Sequence, residues 1–161
     1  MIVSKQLKFI YLALPRTGSK SIVSELILRY QGREIGGHHQ MRVPNRYHSY
    51  LIFTVVRHPA RRMYSAYARS FAFKESLTFD QFLLSIMHGG EENIVSSTQV
   101  SLLGASNIPL SKIVILKLEQ IGHLFLNTRI PTKHPRLTRR QTDLVEMHSA
   151  EDFRVFGYES Q

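Results

Sequence analysis

Three short apolar runs lying far apart constrain this chain most: Lys8–Leu14 (KFIYLAL), Leu51–Val56 (LIFTVV) and Lys112–Lys117 (KIVILK). Each is too short for a buried helix and lacks the alternation of a half-exposed strand. Each therefore predicts a strand covered on both faces. Between the runs, apolar residues recur at helical spacing. Ile22, Val23, Leu26, Ile27 and Tyr30 share one face after the first run. Pro59 suits the first turn of a helix reaching about Phe71. Thr78 and Gln81 form a capping box, with Leu77 and Phe82 placed as its staple. The helix they start turns Phe79, Phe82, Leu83 and Ile86 inward and stops at Gly89. Thr138 with Gln141 caps a late helix, Ser149 with Asp152 marks a short final one, and a weaker strand lies near Glu34–Gly36. Strands alternating with helices predict an α/β fold, a parallel sheet in three layers with helices on both faces. With 161 residues and no repeat or linker, the expectation is a single domain spanning 1–161.

In such sheets ligands lie beyond the carboxyl ends of the strands, and two motifs fall there. The first, Leu14-Pro15-Arg16-Thr17-Gly18-Ser19-Lys20-Ser21, joins the first strand to its helix. Gly18 lets backbone approach a ligand closely, and the helix that follows offers free amides and its positive dipole end. Arg16 and Lys20 add charge, while Thr17, Ser19 and Ser21 add hydroxyl donors, so everything in the segment can donate to an anion. An ATP phosphate loop would need a glycine five residues ahead of a contiguous Gly-Lys pair. Here position 13 is alanine and Ser19 separates Gly18 from Lys20. No apolar run ends in an aspartate placed to hold Mg²⁺.

The second motif runs from Val56 to Tyr67 and begins where the second strong strand ends. Arg57 stands at the strand terminus and Ser65 about two turns into the helix, so a guanidinium and a hydroxyl can converge on one phosphate. Arg61, Ser65 and Arg69 share a helical face, and Arg62 and Arg69 read as a solvated basic surface. The net charge of +9 and pI near 10.1 point to anionic partners: nucleotide, acidic polysaccharide, nucleic acid or a membrane surface. The absence of cysteine excludes disulfides and thiolate metal sites. The first apolar run, Leu7–Leu14, ends at Pro15 and is too short to span a bilayer, and no small-residue cleavage site follows it. A cytoplasmic protein is the expectation.

Taken together, these segments resemble the sulfotransferase family, in particular carbohydrate sulfotransferases and their short bacterial relatives. The first resembles the family's 5′-phosphosulfate loop. The second resembles its 3′-phosphate motif, matched at Val56, Arg57, Pro59, Arg62, Ser65 and Tyr67. Fainter echoes follow in order at Thr78–Leu83, Val114–Glu119, Asn127-Thr128 and Asp152–Tyr158. The resemblance implies a P-loop NTPase-like fold and 3′-phosphoadenosine 5′-phosphosulfate as donor. Arg16, Thr17, Gly18, Ser19, Lys20 and Ser21 would then hold the 5′-phosphosulfate, and Arg57 with Ser65 the 3′-phosphate. Two positions depart from the family: Arg16 stands where lysine is usual and Lys20 where threonine or serine is usual, so both are assigned the charge on the leaving oxygen. Arginine supplies that charge without serving readily as a proton donor.

Sulfuryl transfer to an alcohol also needs a base, expected near the second strand's end, where Gly36-Gly37-His38-His39-Gln40 lies. Bacterial relatives carry a Lys-His pair there, which aligns His39 with their histidine; His38 and then Glu34 are the alternatives. Imidazole titrates near neutrality and suits the role. Adjacent histidines on an extended segment would point oppositely, so no metal site is expected. The basic stretch Lys133–Arg136 with Arg139 and Arg140 faces either the nucleotide, an acidic acceptor or solvent. The acceptor is expected to carry a hydroxyl and to be a carbohydrate or small molecule, with an anionic one compatible with the charge. A site completed by a second subunit is compatible with so short a chain. Two other classes stay open: a nucleotide or small-molecule kinase on the same scaffold, requiring ATP and Mg²⁺, and a non-catalytic basic module for nucleotide or nucleic acid, though no nucleic-acid partner is expected because the basic residues of the two motifs cluster at strand ends.

Overall fold

A computed structural model describes residues 1–69, 76–88, 96–121 and 136–159. Its sheet comprises β1 (Ile2–Ser4), β2 (Phe9–Leu12), β3 (Arg33–Glu34), β4 (Leu51–Val56) and β5 (Ile113–Lys117), in the order β3-β1-β2-β4-β5. The three apolar runs pair in parallel, Leu12 opposite Thr54 and Thr54 opposite Ile115. The wholly parallel sheet read from the sequence is corrected at β1, which runs antiparallel to both β2 and β3. The sheet is therefore mixed. Parallel neighbours need a long crossover, whereas antiparallel ones need only a tight turn. Lys5–Lys8 make that turn without glycine, proline or asparagine to announce it, and Lys8 adopts a left-handed φ of 53°. Three apolar residues are also too few to show a period.

The helices are α1 (Ser19–Arg29), α2 (Pro59–Tyr67), α3 (Phe79–Met87), α4 (Gln99–Gly104), α5 (Leu118–Ile121) and α6 (Arg139–Phe156). Alternation along the strands separates two cores. Ile10, Leu12, Ile52, Val56 and Ile113 pack with Leu103 of α4 and Phe156 of α6. Tyr11, Ala13 and Val55 pack with Ile22, Val23 and Leu26 of α1 and with Leu118 of α5. Each large aliphatic side chain so buried stabilises the fold by about 1.5–3 kcal/mol. A third cluster holds α2, α3 and α6 together through Met63, Phe79, Phe82, Leu83 and Val145. Both capping boxes form, at Thr78/Gln81 and Thr138/Gln141, and the four inward residues of α3 are buried.

Several boundaries differ from expectation. The buried face of α1 is narrower than its apolar pattern, since Ile27 and Tyr30 are 43% and 47% exposed. α2 ends at Tyr67. Ser149 is non-helical (φ −114°, ψ 21°), so a short final helix does follow it across a kink in α6, although Ser149 and Asp152 form no capping bond among the described residues. α3 closes on His88 as its cap. Phe71, Gly89, Asn127-Thr128 and Lys133–Pro135 lie outside the described residues, while Arg136, Arg139 and Arg140 are exposed. No helix among the described residues is long and apolar enough to cross a membrane.

Candidate functional site

The loop after β2 and the turn after β4 meet at the carboxyl end of the parallel strands. Arg62 Nε donates to the Pro15 carbonyl at 3.1 Å, and Arg57 Nη1 donates to the Arg16 carbonyl at 3.3 Å. Two arginines of the second motif thus grip consecutive carbonyls of the first. In a planar trans peptide the N–H points opposite to its C=O. Holding these two oxygens against the second motif therefore aims the Arg16 and Thr17 amides the other way. The loop pays for this shape in strain: Arg16 is left-handed at φ 66°, a conformation disfavoured for a residue with a Cβ, and Gly18 is left-handed at φ 77°, where glycine is suited. Gly18 is the N-cap of α1, and its carbonyl accepts from Ser21 and Ile22. The first amides of α1 have no partners within the helix and present a positive dipole end.

The side chains of the loop divide in two. Thr17 is fully buried and its hydroxyl donates to the Leu14 carbonyl at 2.9 Å, so it pins the loop from below. Ser19 is buried at the start of α1, Ser21 is half-buried and Lys20 is exposed. Arg16 is half-buried, and its Nε has no hydrogen-bond partner among the described residues; the same holds for Arg61 Nε on α2.

Arg57 is buried at 6% exposure. Burial is the main cause lowering its pKa, Glu119 opposes the shift, and the neighbouring charges of Arg61 and Arg16 add to it. Arg16 is lowered by burial and then by Arg69. Glu119 is committed elsewhere, its Oε1 accepting from the His58 amide at 2.9 Å and its Oε2 from the Tyr158 hydroxyl at 3.1 Å. Arg57 thus feels the charge of Arg61 and Arg16, and Arg16 that of Arg69, and a bound anion would relieve this repulsion. Ser65 lies one turn beyond Arg61 and is half-buried; no hydrogen bond among the described residues joins it to Arg57. Arg62 corrects the expectation of a solvated basic face. It is 2% exposed, also donates to the Ser97 carbonyl at 3.0 Å, and burial brings its pKa down to about 10 against the pull of Asp152.

The histidine pair arrives from the segment after β3. That segment bends at Gly36 (φ 67°) and is not extended, so both rings reach the loop instead of pointing apart. They meet edge to face with centroids 4.6 Å apart. His39 Nδ1 lies 2.7 Å from the Ala13 carbonyl, and a carbonyl can only accept, so Nδ1 carries a proton and, in the neutral ring, Nε2 has the lone pair. His38 Nε2 lies 3.3 Å from Ser19 Oγ. Burial, followed by the proximity of His39, lowers the pKa of His38 below its usual value. No group of three or more histidine, aspartate and glutamate residues among the described residues is arranged to hold a metal ion.

Behind the site stand Gln99, which the sequence reading passed over, and Asp152, which it read as a helix marker. Gln99 Oε1 accepts from the Arg57 amide and its Nε2 donates to the Arg57 carbonyl, both at 2.9 Å. Asp152, wholly buried, accepts from the Gln99 amide and Nε2 through Oδ2 and from the Val100 amide through Oδ1. Asp152 thus serves the start of α4, 53 residues upstream, and not the last turn of its own helix. The only local signal was Thr98, whose hydroxyl caps α4 at the Ser101 amide. Away from this site a cavity of about 400 Å³ opens beside β5, lined by Leu110, Ile115, Lys117, Val155 and Phe156 among others. No family model matches the chain, and neither a curated protein nor a solved structure matches it.

Proposed function

We propose that this chain binds a nucleotide phosphorylated at both ends of its ribose and transfers the sulfuryl group of 3′-phosphoadenosine 5′-phosphosulfate to a hydroxyl. One observation carries the reading: Arg57, from the second motif, reaches the Arg16 carbonyl of the first at 3.3 Å, so two separate anion-seeking segments form one site. A single phosphate loop would serve any phosphate. Two linked anchors suit a ligand with two separated anionic ends.

In this reading the amides of Thr17, Gly18 and Ser19, with Arg16 and Lys20, hold the 5′-phosphosulfate, and Arg57 with Ser65 takes the 3′-phosphate. His39 Nε2, which has the lone pair in the neutral tautomer set by the Nδ1–H bond to Ala13, accepts the acceptor's hydroxyl proton. The acceptor oxygen forms its bond to sulfur as the bond from sulfur to the 5′-phosphate oxygen breaks. Arg16, Lys20 and the α1 amides stabilise the charge left on that phosphate. Metal plays no part in these steps.

The test is thermal stabilisation by 3′,5′-bisphosphoadenosine, without metal, beside ATP with Mg²⁺. Ligand at about 100 times its Kd raises stability by about 2.7 kcal/mol, a readily measured rise in Tm. Stabilisation by the bisphosphate alone is expected. Stabilisation by ATP with Mg²⁺ alone would move the chain to the kinase class.

A further inference from the structure

Arg57 stands one residue past the end of β4, where the sheet can no longer hold it. The ladder to β5 closes with Val56 opposite Lys117, and the next residue of that chain, Leu118, already begins α5. A strand neighbour would have supplied one acceptor and one donor to Arg57. The side-chain amide of Gln99 supplies both, at 2.9 Å each. It does so within a fully buried environment, where unsatisfied peptide groups are strongly disfavoured. Gln99 has no freedom to turn away, because Asp152 Oδ2 holds its Nε2 at 3.1 Å and its own amide at 2.9 Å. The backbone from which the Arg57 guanidinium departs is thus set by a side chain 42 residues away.

We propose that Gln99 is a positioning residue that makes the site discriminate a nucleotide phosphorylated at both ends from one phosphorylated at the 5′ end alone. The inference rests on the two-ended reading above. Among the described residues the Gln99 side chain hydrogen-bonds only to the Arg57 peptide groups and Asp152, so it acts on the 3′-phosphate through Arg57. The 5′ loop keeps two contacts that do not pass through Arg57, Arg62 to Pro15 and Thr17 to Leu14, besides the Arg57 contact to the Arg16 carbonyl. Loosening Gln99 therefore withdraws the 3′ anchor and leaves the 5′ loop with two of its three contacts.

The experiment measures Kd for 3′,5′-bisphosphoadenosine and for adenosine 5′-monophosphate on the parent chain, Gln99→Ala and Asp152→Asn, each checked for folding by circular dichroism. The parent is expected to prefer the bisphosphate by about tenfold or more, the worth of one charge-assisted hydrogen bond. In Gln99→Ala that preference falls to about twofold, while 5′-monophosphate affinity stays within about twofold of the parent. Asp152→Asn keeps the volume and loosens the amide without emptying its space, so it shows the same loss of preference should Gln99→Ala fail to fold. An undiminished preference in a folded variant overturns the proposal, and so does equal weakening of both ligands, which marks Gln99 as merely structural. No preference in the parent overturns the two-ended reading itself, and the role of Gln99 with it.

Discussion

Replacing Asp152 by asparagine probes the most deeply buried part of the network. The carboxylate accepts three hydrogen bonds, from the Gln99 amide, the Gln99 side chain and the Val100 amide, at 2.9, 3.1 and 2.8 Å. Asparagine keeps the shape but has one acceptor oxygen. Its better orientation serves the two Gln99 donors and sets an NH₂ against the Val100 N–H. One buried donor left unsatisfied costs about 1–3 kcal/mol, and each of the other two bonds, no longer to a charge, weakens by about 1 kcal/mol. Arg62, fully buried, loses the charge that favours its protonated form. Relief from burying a carboxylate offsets part of the sum, leaving a net destabilisation of about 2–4 kcal/mol. Urea unfolding followed by circular dichroism reads this as a lower midpoint, by about 1–2 M at slopes usual for small domains. Glu151→Gln is the control one residue away. Its pairing with Arg154 is long at 3.8 Å and its side chain is 52% exposed, so it should change stability by less than about 0.5 kcal/mol. If Asp152→Asn shifts stability no more than Glu151→Gln, the network contributes nothing to the fold and the reasoning above fails.

Other expectations are independent of that network. His39→Ala should lower donor-dependent sulfate transfer by about 10²–10⁴-fold and leave bisphosphate affinity intact; full activity would remove His39 from the base role. His38, His58 and His148 all have pKa values lowered from 6.5, chiefly by burial, so the unfolded chain takes up protons at them first. Their contribution to stability is complete above about pH 6.5 and is lost as the pH falls toward the folded values, which a series of Tm measurements from about pH 7 to 5 will register as a decline. His58→Gln keeps a donor for the Glu159 carbonyl and cannot titrate, so it should flatten that decline. Thr138→Ala removes the cap of α6 and should destabilise by about 1 kcal/mol in the same urea assay, with Thr138→Ser restoring most of it.

Much of the fold was legible in the sequence because it rests on local physics. Leu51–Val56 is a strand at the bounds its composition suggested, and the two capping boxes form as written. The Gly18 loop opens α1, as a strand followed by glycine and hydroxyl residues implies. The two motifs also stand at strand ends, as buried runs followed by polar turns require. The antiparallel β1 was not legible, because its three residues carry no period and its turn no marker.

What sequence alone determined, then, is most of the segments that become strands and helices, and that two polar segments, Arg16 to Ser21 and the one beginning at Arg57, follow strands β2 and β4. Tertiary structure decided how those residues are employed. It turned Thr17 and Arg62, both able to bind an anion, into pins for the loop, and brought Gln99 and Asp152 to Arg57. Helix and strand signals operate over a few residues, through dihedral preference and periodic burial. The satisfaction of a buried peptide group is settled by whichever side chain packing brings near, and nothing close to it in sequence identifies that side chain.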